Sequence, residues 1–87
     1  MESRLDGNAA GGILGAIFPF DMTTAIATCA GCGLTDPIGA FMAYVSAIGT
    51  VVRCPRCDNA LMRLTNVRGH YWMDTRGMRM LRISEGR

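Results

Sequence analysis

The chain has 87 residues, room for one small hydrophobic core and not for two, so a two-domain arrangement is excluded. At 49% hydrophobic and 18% charged it is too apolar for a disordered tail, and no uncharged run reaches the ~20 residues that span a bilayer. One histidine, no lysine and seven scattered carboxylates leave few groups for acid–base or nucleophilic chemistry, so a non-catalytic role is expected.

Taken in chain order, Asp6 reads as the cap of a short helix over Gly7 to Phe18, stopped by Pro19. Leu5, Ala9, Ile13, Leu14, Ile17 and Phe18 fall on one stripe. Gly7, Gly11, Gly12 and Gly15 weaken such a helix by up to about 1 kcal/mol each, so it needs an apolar surface to lie on. That surface is expected to be the domain's own sheet, with docking into a partner as the alternative. The helical segment is set at residues 1–20.

Thr23 to Thr28 read as a strand entering Cys29-Ala30-Gly31-Cys32. Phe41 to Ser46 and Thr50 to Arg53 form a hairpin about Ile48-Gly49, whose second arm enters Cys54-Pro55-Arg56-Cys57. Two C-x-x-C turns at the ends of strands define a zinc ribbon over residues 23–60. Leu61 to Val67, His70 to Asp74 and Met78 to Ile83 are short apolar runs separated by turn residues, which predicts a three-stranded antiparallel meander over 61–84. The expected fold is thus mostly β: a single zinc-ribbon domain spanning 1–87, with a short N-terminal helix and a C-terminal antiparallel meander. Trp72, Met78 and Met80 are assigned to its core, with a binding surface as the alternative for each, and His70 to a turn or strand end.

The cysteine pairs carry the clearest chemistry. Four soft ligands suit one tetrahedral zinc ion, and a C-x-x-C turn presents two sulfurs to one metal with backbone N–H groups aimed at them. Gly31 and Gly33 permit the positive φ of a tight knuckle, Pro55 presets φ, and Asp58-Asn59 tolerate a left-handed exit. The predicted ligands of one structural Zn2+ are Cys29, Cys32, Cys54 and Cys57. Two disulfides, a thioredoxin-like redox pair and a rubredoxin-like iron site are the alternatives. Disulfides need an oxidising compartment, and the redox pair needs a βαβ pattern that is absent. The iron site is expected to carry an acidic surface and aromatic crowding that this chain lacks.

Charge is distributed unevenly. Residues 1–49 hold one arginine against four acids, whereas 50–87 hold eight arginines against three. Four thiolates and one divalent ion would bring the formal +2 to zero, so a basic isoelectric point by itself says little about partners. Arg63, Arg68, Trp72, Arg76 and Arg79 form a candidate partner surface, basic and aromatic residues interleaved on strands. The expected function is a protein-interaction adaptor. A nucleic-acid-binding ribbon of transcription or translation is the alternative, and an iron electron carrier a third. The N-terminus has no secretory pattern, which makes the cytoplasm the expected location and a membrane partner unexpected.

Leu5-Asp6-Gly7-Asn8, Phe20-Asp21-Met22-Thr23, Cys29 to Gly33, Arg53 to Cys57 and Trp72 to Gly77 together resemble a small actinobacterial family known only as a domain of unknown function. The resemblance spans nearly the whole chain and implies a bacterial cytosolic protein with a four-cysteine site. Some members are labelled as nickel metallochaperones of hydrogenase maturation. This chain departs from that pattern, with Glu2 after Met1 where the nickel site requires histidine, so nickel delivery is not carried over.

Overall fold

The structure, a computed structural model, describes residues 3–85 and places its strands in two antiparallel sheets. The strands are β1 (Ser3–Asp6), β2 (Ile26–Cys29), β3 (Thr35–Pro37), β4 (Met42–Ser46), β5 (Gly49–Arg53), β6 (Ala60–Val67), β7 (His70–Asp74) and β8 (Met78–Arg82). The larger sheet has the order β1-β4-β5-β6-β7 and the smaller one β3-β2-β8. Among the described residues one α-helix, α1 (Gly11–Ile17), completes a mostly-β architecture. No described helix is long and apolar enough to cross a membrane.

The larger sheet is a run of hairpins whose turns follow from their residues. Ser46 pairs with Gly49 across a two-residue turn, and Val67 pairs with His70 across Arg68-Gly69. Arg68 and Gly69 have φ of 52° and 82°, the pair of left-handed residues that matches the twist of a tight hairpin. His70 accordingly opens β7, at a strand end.

Alternation then sorts the two faces of this sheet. Ala43, Val52, Met62 and Leu64 point inward and are buried. They join Ala27 and Cys29 of β2, Leu14 of α1, and Ile38 and Phe41 in one core cluster. The opposite face, carrying Tyr44, Arg63 and Trp72, is left open.

The N-terminal segment differs from its prediction as a helix from Gly7 to Phe18. Ser3–Asp6 pair with β4 as an edge strand, Gly7–Ala10 form a 3-10 turn, and only Gly11–Ile17 are α-helical. Asp6 does cap, accepting the Asn8 N–H at 3.1 Å, but it caps the 3-10 turn. The helix loses its N-terminal end, where Gly7–Ala10 form the 3-10 turn and α1 begins only at Gly11, and Leu5, assigned to its stripe, lies in β1 and is exposed. Leu14 is fully buried and Ile13, Ile17 and Phe18 pack on the core, so the helix lies on its own domain. Glu2 falls outside the described residues.

Two further elements depart from expectation. Met22–Thr24 make a 3-10 turn capped by Asp21, which delays β2 to Ile26, and the short β3 was not foreseen. More consequential is the third strand of the predicted meander. β6 and β7 extend the hairpin sheet, but β8 leaves β7 and pairs antiparallel with β2 in the smaller sheet. Gly77 permits this crossing: a Cβ there would run into the Ala60 carbonyl, so only glycine lets the β7–β8 loop press against the start of β6. The core assignments of Trp72 and Met80 are corrected with it. Trp72 stands 65% exposed on the open face of edge strand β7, Met80 is 47% exposed on edge strand β8, and Met78 is half-buried against the core.

Candidate metal centre

Each C-x-x-C pair begins at the end of a strand, β2 for Cys29 and β5 for Cys54, so both first sulfurs inherit the rigidity of the sheets. Cys29 and Cys54 are buried, Cys32 is half-buried and Cys57 is exposed. The knuckles close by backbone hydrogen bonds: Gly33 N–H donates to the Cys29 carbonyl and Cys29 N–H to the Leu34 carbonyl, and Asp58 and Asn59 repeat the pattern around Cys54.

The four Sγ atoms all lie within 4.8 Å of one another. Cys29 and Cys57 stand 3.6 Å apart, as do Cys32 and Cys54. A tetrahedron with metal–sulfur bonds of about 2.3 Å has sulfur–sulfur edges of about 3.8 Å, so the observed cage fits one metal ion. The four predicted ligands converge as the spacing implied, and β2 and β5, which belong to different sheets, are joined through them.

The electrostatics of the cage favour a cation at its centre. Burial pushes the Cys29 thiol up, but the backbone of Cys32, the Asn59 amide and the Gly31 N–H outweigh it and bring the group down to about 6. Cys57 is favoured as a thiolate by the Asn59 backbone, yet burial and the sulfurs of Cys29, Cys32 and Cys54 push it up to about 12. Four thiolates this close repel one another unless positive charge sits among them.

Several residues that were not singled out as site residues complete the surroundings. Gly31 N–H points at Cys29 Sγ (3.3 Å) and Arg56 N–H at Cys54 Sγ (3.4 Å). Asn59 Nδ2 donates to Cys29 Sγ at 3.4 Å and to the Gly77 carbonyl at 2.9 Å, tying the β7–β8 loop to the site. Arg56 Nη2 donates to the Cys32 carbonyl at 3.0 Å, setting a guanidinium beside the thiolates. The sequence marked Asn59 only as a turn residue, and nothing local announces its contact with Gly77, eighteen positions away.

The candidate partner residues do not form a single surface. Arg63 and Trp72 share the open face of the larger sheet, because Arg63 opposes Asp74 and Thr65 opposes Trp72. Arg76 is drawn to the same place by Asp74, which it grips through Nε (3.0 Å) and Nη2 (2.6 Å). Arg68 lies at the tip of the β6–β7 turn, and Arg79 belongs to β8 in the other sheet. Arg53, not among the predicted surface residues, joins Arg63 and Arg76 in lining a cleft of about 350 Å³.

Comparison with curated proteins and with solved structures finds no match. Residues 1–86 match the family of unknown function DUF6510, and the chain belongs to that family.

Proposed function

We infer that this protein is a non-catalytic adaptor, stapled by one structural zinc ion, that offers the open face and free edge of its larger sheet to another macromolecule. Four thiolates fill a tetrahedral zinc, leaving no open position for substrate or water, so the metal's role is to hold β2 and β5 together. The single histidine, His70, is exposed at the start of β7 and is not among the residues of the cysteine cage. A thiolate cage requires reduced cysteines, which the cytoplasm would supply.

The observation that carries the binding role is β7. Tyr71, Trp72 and Met73 are all exposed, on both faces of a strand at the sheet edge, where a soluble domain gains nothing by placing them. A protein partner that adds a strand to β7 would cover them. A second reading, nucleic acid, is favoured by the convergence of Arg53, Arg63 and Arg76 on the sheet face that also carries Trp72. The iron electron carrier shares the four-thiolate cage but would leave the exposed strand unexplained.

Elemental analysis of the native protein, together with affinity purification of the full chain and of a Tyr71→Ser/Trp72→Ser variant, tests the reading. Stoichiometric zinc and a defined partner lost in the variant support it. Iron with visible absorption, or a wild-type chain without any partner, defeats it.

A further inference from the structure

We propose that the cleft between Arg53, Arg63 and Arg76 binds the backbone phosphate of a single-stranded nucleic acid whose base stacks on Trp72. The proposal rests on the reading of the open sheet face as a binding surface and names the ligand for it. Three guanidiniums against the one carboxylate of Asp74 leave the cleft net positive, and its volume of about 350 Å³ exceeds what an inorganic anion needs. Asn59 and Gly77 complete the wall and connect it to the metal cage.

Two of the three guanidiniums already have partners on the protein. Arg76 is clamped by Asp74, and Arg53 donates Nη1 to the Asp58 carbonyl at 3.0 Å while its guanidinium lies 5.8 Å from the Tyr44 ring centre. The one ion pair among the described residues joins Arg76 to Asp74 and leaves Arg63 out of it. Arg76 pairs through Nε and Nη2 and is otherwise exposed, which leaves donors for phosphate oxygens.

Register supplies the second half of the site. Trp72 is one diagonal step from Arg63 on the same face, about 7–8 Å between backbones, comparable to the step from phosphate to base within one nucleotide. An indole lying open on a sheet is a stacking platform only for a base that is not already stacked in a duplex, so the ligand is single-stranded. Asp74 opposes phosphate and limits the affinity of the site.

The test titrates the full-length, metal-loaded protein with oligouridylate of about ten nucleotides. Salt is varied between about 50 and 200 mM, and labelled-strand anisotropy is read alongside intrinsic fluorescence. Trp72 is the only tryptophan, so quenching reports stacking at that residue alone. The expected results are saturable quenching, binding weakened about 5- to 100-fold by Trp72→Ala, and a salt slope shallower by about 0.7 in Arg63→Ala. Arg82→Ala, on β8 of the other sheet, should leave binding unchanged.

Equal binding of a duplex or of polyglutamate, or anisotropy without quenching, would overturn the proposal by reducing the cleft to a generic polyanion site. Absence of binding by protein with native amide dispersion would overturn it as well. In that event a protein partner that depends on Tyr71 and Trp72 would leave the adaptor reading standing, whereas the lack of both ligands would remove both.

Discussion

Gly33 and Asp58 occupy equivalent positions in the two knuckles, each four residues after the first cysteine of its pair. Each donates its N–H to that cysteine's carbonyl, at 2.9 and 2.8 Å. Both adopt left-handed backbone, with φ of 81° and 65°. The two halves of the metal cage are therefore built on one backbone design, glycine serving in one and aspartate tolerated in the other.

This equivalence predicts unequal effects of substitution. Gly33→Ala should destabilise the metal-loaded protein by about 1–2 kcal/mol, the cost of a Cβ in left-handed backbone. At Asp58→Gly, relief of strain and the greater freedom of the unfolded chain oppose each other, leaving stability within about 0.5 kcal/mol. Denaturant unfolding of the two variants measures both.

Asn59 orients the cage from outside it. Removing its amide in Asn59→Ala strips Cys29 Sγ of one donor and releases the Gly77 carbonyl, so metal affinity should fall about 10- to 100-fold. Competition with a chromophoric chelator reads this directly, and unchanged affinity would deny Asn59 any part in the site.

Loss of a ligand should be far more severe. For a domain this small, metal binding worth on the order of 10 kcal/mol exceeds the stability of the rest of the fold. Cys29→Ser or Cys57→Ser is expected to collapse the amide-proton dispersion of the NMR spectrum, as is metal removal by chelation. A serine variant with native dispersion would contradict the staple.

The Asp74–Arg76 pair sets a pH signature. The hydrogen bonds of the Arg76 side chain, then its backbone N–H, hold Asp74 below its ordinary value of 3.8, at about 2. A carboxylate depressed in the folded state contributes stability that is fully present above its unfolded pKa and is lost as pH falls through the folded one. Its contribution should thus be constant above pH 4 and fade between about 4 and 2. A carboxyl-carbon NMR titration should find Asp74 still ionised at the lowest pH at which amide dispersion survives, and more protonated there in Arg76→Ala.

Gly12 offers a change in the opposite direction. It lies within α1, and a Cβ there would meet nothing within 4 Å. Gly12→Ala should raise stability by about 0.5–1 kcal/mol through helix propensity alone, seen as a higher unfolding midpoint.

Features written in short stretches of sequence were legible without coordinates. The two C-x-x-C turns, both hairpins of the larger sheet, the left-handed exit at Asp58 and the capping role of Asp6 each depend on residues within a few positions of one another. The helix boundaries misled because a stripe of apolar residues at helical spacing says nothing about whether β4 offers an edge to Ser3–Asp6. Trp72 reads equally as core or as surface in the sequence, because an aromatic residue looks the same in a strand whether or not a second layer covers it.

By itself the sequence determined that two C-x-x-C turns end two strands and that basic residues crowd the second half, since residue type and local spacing set turn chemistry and charge. Only the tertiary structure decided that β8 crosses to pair with β2, that the sheet face bearing Trp72 stays open, and that Arg53 comes beside Arg63 and Arg76. Those outcomes depend on which surfaces meet across the core, and packing between segments distant in the chain leaves no periodic trace in either of them.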